Sequence, residues 1–292
     1  MATLRELKGR IGSVGSSEKI TGAMKMISSA KMHKAEGALR RLVPFRSQIE
    51  TIISNLLSSD AEFSSPLVNE RHIQSVAVVV WGSDDGLCGA YNVNIFKQVL
   101  THIEHLIDTY GKDVKITIVP IGRKMTKAVS KLEGVSVRKF EGVDSKTDGQ
   151  NVVSFVGELE NAYLNGEYDK VDVVYMNFKS VSRQTLVISQ FIPVLASTFT
   201  GMENSNGIKP YLFEPGPAEI FDRVLPMYLM ASAQEIFSEN RASEQAARVM
   251  AMQSANDNAK KLLDQLRLEF NKLRQQSITT ELLDIVGGQV RD

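Results

Sequence analysis

At 292 residues the chain is long enough to bury a sizeable core, as one large domain or two smaller ones. Its 34 Lys and Arg balance 34 Asp and Glu, which argues against a chain organised as a whole around a polyanion. The single cysteine, Cys88, rules out an intramolecular disulfide and suits a reducing compartment, and no run approaches the ~18 apolar residues that a membrane span requires.

The first predicted element is a helix from about Thr3 to Leu57. "MATLRELKGRI" enters helical periodicity directly, without the apolar core of a secretory signal. The expectation is a soluble chain that meets a membrane only through partners. The first fifty residues carry ten basic and four acidic side chains. Either an acidic partner or a simple solvated helix face accounts for that excess. Leu4, Leu7, Ile11 and Val14 step 3, 4, 3, the seam of a coiled coil. The same phase then meets Glu18, Thr21, Lys25 and Ser28, while apolar character moves to Ile20, Met24 and Ile27 before returning at Met32, Ala35, Leu39 and Leu42. A slipping seam predicts a helix whose middle meets more than one neighbour. Pro44 is expected to kink the helix or end its first part. Gly9, Gly12, Gly15, Gly22 and Gly37 weaken it, and close approach of another backbone is the ordinary compensation.

From Ser75 to about Leu195 the period changes. "SVAVVVWG", "VKITIVPIG", "VDVVYMNF" and "TLVISQFIPVL" are β-branched runs of strand length. Helical stretches fall between the first three, near Ala90–Tyr110, Arg123–Leu132 and Val152–Leu164. The pattern predicts a Rossmann-like α/β layer with a mainly parallel sheet. "ENSNGIKPYLFEPGP" reads as a loop rich in breakers.

A second long helix is predicted from about Ala218 to Val286. Its length, ~100 Å at 1.5 Å per residue, is far beyond an ordinary globular helix. Leu262, Leu266, Phe270 and Leu273 give its apolar steps, and "ASEQAARVMAMQSANDNA" is dominated by small side chains. Pairing the terminal helices as a long antiparallel coiled coil sets the glycine-rich stretch against this small-residue stretch. It also leaves the last turns of the second helix, with Leu282, Leu283, Ile285 and Val286, projecting without a partner, so a separate protein is expected to cover them. The predicted segments are 1–58, 72–200 and 210–287.

Catalytic signals are weak. "WGSDDGLCGAYN" follows a strand and leads into a helix, but it lacks the GxGxxG and Gly-Lys-Ser/Thr spacings of nucleotide sites, and it reads foremost as a tight turn. Cys88 has no histidine nearby in sequence and reads as a small buried hydrophobe. His102 and His105 share a helix face but lack a third metal ligand. No catalytic residue, cofactor site or metal site is expected.

Three ordered blocks resemble the gamma subunit of the F-type, proton-translocating ATP synthase over essentially the whole chain. They are "RIGSVGSSEKITGAMKMISSAKMHKA", "SDDGLCGAYN", and "ASEQAARVMAMQSANDNA" continuing through "FNKLRQQSITTELLDIVGG". The resemblance implies a non-catalytic rotor shaft inside a hexamer of alpha and beta subunits. It couples proton flow to ATP synthesis or hydrolysis at the beta sites. It also implies an epsilon subunit and a membrane c-ring as further partners, no nucleic acid, and a peripheral position on the cytoplasmic face of an energy-transducing inner membrane. By the same resemblance Met24, Lys25, Glu244, Arg248, Arg274, Gln275 and Thr279 are rotor–stator contacts, and Tyr211 and Glu214 meet the ring and epsilon. Leu273 and Asp85 depart from the family's usual alanine and arginine, as does Gly287-Gly288-Gln289 at the tail. The absence of an extra cysteine pair argues against a chloroplast-type redox switch, and the absence of a transit segment points to a bacterial protein. Rival readings are a stand-alone α/β enzyme dimerised by coiled-coil arms, and a nucleic-acid clamp using the basic first helix. The clamp is disfavoured because Glu6, Glu18 and Glu36 interrupt the basic residues and no aromatic interleaves them.

Overall fold

The computed structural model describes residues 3–58, 63, 65–195, 198–199 and 213–289. Among them the elements run α1 (Leu4–Leu57), β1 (Ser75–Trp81), α2 (Tyr91–Tyr110), β2 (Lys115–Ile121), α3 (Arg123–Val129), β3 (Ser136–Val137), α4 (Gln150–Leu164), β4 (Lys170–Ser180), β5 (Arg183–Ile192) and α5 (Pro217–Gln289). The chain gathers into two compact units, Met1–Ser29 with Arg248–Asp292, and Ala30–Ala247.

The second unit is built on one sheet of order β3-β2-β1-β4-β5. β1 pairs in parallel with β2 and with β4, β2 in parallel with β3, and β4 antiparallel with β5. Successive strand residues point to opposite faces, so the unbroken Val-Ala-Val-Val-Val of β1 requires cover on both. Ala77, Val79 and Trp81 pack with Phe155 and Leu159 of α4, Leu225 and Phe237 of α5, and Ile49, Ile53 and Leu56 of α1. Val76, Val78 and Val80 pack with Ile95, Val99 and Leu106 of α2 and Met125 and Val129 of α3. Trp81 sits edge-on to Phe155, Tyr175 and Phe237, which centres the first of these cores. β3 has only two residues, too few for the strand pattern that revealed the others.

Pro44 does not end α1, which continues as helix to Leu57. Proline removes one backbone donor, but Ile49, Ile53 and Leu56 are buried just beyond it, and that packing holds the helical course. α5 likewise contains Pro226 near its start.

In the first unit the two chain ends form an antiparallel helix pair. A Cβ on Gly15 would lie 3.9 Å from Leu263, and one on Gly22 would lie 3.3 Å from Asn256 Nδ2. Close approach therefore explains Gly22. It does not explain Gly9, Gly12 or Gly37, where a Cβ would meet nothing within 4 Å.

Candidate functional site

The seam of the helix pair starts from polar residues as much as apolar ones. In α1, Leu4, Leu7, Ile11, Val14, Glu18, Thr21, Lys25 and Ser28 are all buried or half-buried, so the seam holds its phase. Of the sideways stripe expected from the sequence, Met24 is half-buried, but Ile20 and Ile27 are 59% and 56% exposed, and neighbouring Met26 is 69% exposed. The cause is a polar partner on α5. Asn256 Nδ2 donates to Glu18 O at 2.6 Å and lies 3.3 Å from Thr21 Oγ1. On α5 the inward positions are Val249, Met252, Asn256, Ala259, Leu263, Leu266, Phe270 and Leu273, in regular heptad steps. Leu262 was expected in that seam and is instead 44% exposed, with Leu263 inward.

The pairing of Gly15 with Leu263, continued along both helices, brings Leu4 level with Arg274. α5 runs on to Gln289, so about 15 residues, ~22 Å of helix, extend past the start of α1. Ile278, Leu282, Leu283 and Ile285 there are 49–66% exposed. Polar residues on this stretch are self-satisfied: Thr279 Oγ1 donates to Gln275 O at 2.9 Å and Thr280 Oγ1 to Gln276 O at 2.9 Å.

The residues singled out from the sequence fall into four environments. Arg274, Gln275 and Thr279 are exposed on the bare end of α5. Met24 and Lys25 are half-buried in the helix pair. Glu244 and Arg248 are 3% and 5% exposed, covered by the chain itself, and Gln245 Nε2 donates to the Glu244 carboxylate at 3.3 Å. Glu214 is exposed, and Tyr211 lies outside the described residues.

The loop after β1 is a structural knot. Asp84 accepts from Arg123 N at 3.0 Å and from Ser145 N and Oγ at 3.1 and 2.7 Å. Burial would raise its pKa, but these donors outweigh it and hold the carboxyl below the usual range. Asn92 closes the turn, donating to Ser83 Oγ at 2.7 Å and accepting from Ser83 N at 3.0 Å. Gly122 is obligatory beside it: φ is +95° and a Cβ would lie 2.9 Å from the Ser83 carbonyl carbon. The knot reaches α5 as well, since Tyr91 OH donates to Asn240 Oδ1 at 2.6 Å and Asn240 Nδ2 to Gly82 O at 3.3 Å. Ser243 Oγ donates to Met176 O at 3.0 Å, and Arg241 Nη2 to Thr147 O at 3.1 Å. Cys88 is buried. His102 pairs with Asp172 at 2.9 Å rather than opening toward a metal, and among the described residues no group of His, Cys, Asp and Glu is placed to hold one.

Sequence reasoning missed a buried ionic cluster in the second unit. Arg46 Nε donates to Glu235 Oε2 at 2.6 Å, Nη2 to Glu235 Oε1 at 3.3 Å, and Nη1 to Glu50. Burial works against the Arg46 charge, but both carboxylates hold it protonated. Glu239, one turn beyond Glu235, accepts from Asn177 Nδ2. Burial first, then the neighbouring Glu235 charge, push its carboxyl up to about 7. A cavity of about 160 Å3 adjoins the cluster, lined in part by Arg46, Tyr228 and Glu235. The available signals were the i,i+4 spacings of Arg46 with Glu50 and of Glu235 with Glu239.

Two long helices flanking an α/β layer, with one apolar helix end left uncovered, define a protein built to work as a subunit of a larger assembly. The family model described as ATP synthase matches residues 3–290. The ATP synthase gamma chain of Phocaeicola vulgatus is 38% identical over 99% of this chain and 100% of its own, and that of Cytophaga hutchinsonii is 34% identical over 99% and 98%. This chain belongs to the ATP synthase gamma chain family. In fold it is similar to a chain of the Euglena gracilis mitochondrial ATP synthase in its OSCP/F1/c-ring structure, with a TM-score of 0.65, 20% identity, and 98% and 93% of the two chains covered. It is also similar to a chain of the Tetrahymena thermophila central stalk and c-ring, with a TM-score of 0.55, 20% identity, and 81% and 99% covered. Among the described residues no helix is long and apolar enough to cross a membrane.

Proposed function

We propose that this chain is the central rotor shaft of an ATP synthase, itself non-catalytic, turning inside a hexamer of alpha and beta subunits. The uncovered end of α5 carries the reading: an apolar helix past the reach of α1 needs a foreign surface to exclude water. A stator of alternating subunits meets a different face of this asymmetric end at each orientation. Because those contacts differ between beta conformations, rotation selects which one closes on nucleotide. Arg274, Gln275 and Thr279 are the polar contacts of the bare end. Met24 and Lys25 contact beta at the edge of the helix pair, where the exposed Ile20, Met26 and Ile27 add apolar surface. Glu244 and Arg248, mostly covered by the chain's own packing, would touch the stator only at their margins.

Torque would enter at the base, through Glu214 and Tyr211 against epsilon and the c-ring. The hydrogen bonds of Tyr91, Arg241 and Ser243 would carry it between the α/β layer and α5. The functional segments are the first helix (residues 1–58), the α/β segment (72–200) and the last helix (210–287). The chain would lie on the cytoplasmic face of the inner membrane, held there by its partners. The test is reconstitution of the membrane complex with a chain ending at Asn271. Proton-coupled ATP synthesis is expected to fall sharply while the circular dichroism of the α/β layer is kept; unchanged coupling would refute the reading.

A further inference from the structure

Residues 123–139 hold six basic side chains and a single acid, Glu133, within a chain of zero formal charge. Arg123, Lys127 and Lys131 converge with Lys139 around a groove of about 580 Å3 whose remaining lining is Thr126 and Ser130. Arg123 reaches Asp85 at 3.1 Å. Lys127, Lys131 and Lys139 are exposed and have no ion-pair partner among the described residues. The hydroxyls are spent, since Thr126 Oγ1 donates to Gly122 O at 3.0 Å and Ser130 Oγ to Thr126 O at 2.7 Å. So are the first amides of α3: Arg123 N donates to Asp84 and Lys124 N to Ser83 O, each at 3.0 Å.

No backbone cradle is therefore left for a phosphate, which helix termini ordinarily recognise through free N–H groups. Three unpaired ammoniums remain around the groove: Lys127 in α3, Lys131 just beyond it, and Lys139 two residues past β3. An extended chain presents every second side chain to one side, which suits a set of separate ammoniums without a backbone cradle. We propose that this groove docks an extended, carboxylate-rich polypeptide segment, with its acidic side chains on Lys127, Lys131 and Lys139. The proposal is independent of the rotor reading, because it uses no residue of the helix pair.

The probe is a fluorescein-labelled peptide of alternating Glu and Ser, about ten residues long, titrated with the full chain and followed by anisotropy. The variant K127E/K131E/K139E should bind about tenfold more weakly or worse, given three rim charge pairs. Binding should also fall as salt screens the contact. The variant K19E/K34E, altered on exposed positions of α1, should bind as the parent does. Circular dichroism and the milder K127Q/K131Q/K139Q variant separate lost docking from lost fold. Full affinity in the charge-reversed variant overturns the proposal. Loss of affinity in the α1 variant does too, as does tighter capture of pyrophosphate or of phosphatidylglycerol vesicles than of the peptide.

Discussion

One guanidinium, Arg46, serves the carboxylates of Glu50 and Glu235, with Glu239 a helical turn further along α5. Replacing Arg46 with alanine strands two buried carboxylates. The expected loss is about 2–3 kcal/mol, reduced from the figure for a fully buried pair because 28% of the Arg46 side chain stays exposed. Urea denaturation of the parent and R46A chains measures it. Glu239 adds a pH dependence of definite sign. Its folded pKa, about 7, lies above the ordinary carboxylate value. Its stabilising contribution is therefore complete below that ordinary value and is lost as pH rises through about 7. The melting temperature of the parent should fall between pH 5.5 and pH 8 by more than that of Glu239→Gln; parallel profiles would remove Glu239 as the titrating group. Asp84 acts oppositely, stabilising above the ordinary value and losing that contribution as acid protonates it. Periodicity could not reveal this cluster, because acids four residues apart on a helix look the same whether they face water or a guanidinium. Glu244 and Arg248, which the family resemblance sets at a polar station, are 3% and 5% exposed in the chain, a burial that their sequence does not reveal.

At the level of elements, the long helices and four of the strands are plain in the sequence because each repeats its period over many residues. β3 is not, since two residues carry no period. The polar stretch of the α1 seam was misjudged for a related reason. Apolarity alone shifts the stripe to Ile20, Met24 and Ile27, of which only Met24 is half-buried, whereas the actual seam keeps its phase by hydrogen bonding to Asn256. Asn256→Ala should cost the helix pair about 1 kcal/mol for the lost bond. Asn256→Leu should cost more, because it adds bulk beside Gly22 and still leaves the polar seam unmatched. Hydrogen exchange of amides in residues 3–29 reads both. Met24→Lys sets a new charge at the edge of the pair, next to Lys25. It is expected to lower ATP made per proton in the reconstituted complex with little change in folding, and an equal yield would remove Met24 from the stator contact.

For the whole molecule, the architecture was legible because amphipathic length is hard to disguise: a helix predicted to outrun its partner does so, and Leu282, Leu283 and Ile285 stand uncovered, while the Val286 side chain lies outside the described residues. What remained hidden was the fastening of α5 to the α/β layer through Asn240, Arg241 and Ser243. These are ordinary polar residues whose partners lie far away in sequence. In the proposed rotor that uncovered end turns within a ring of nucleotide-binding subunits. The most direct measurement fixes the alpha–beta hexamer to a surface, attaches a probe to the α/β layer of this chain, and records it during ATP hydrolysis. Persistent rotation in one direction, with torque reduced when the chain ends at Asn271, is the predicted result. A probe that stays still while ATP is hydrolysed at full rate would contradict it.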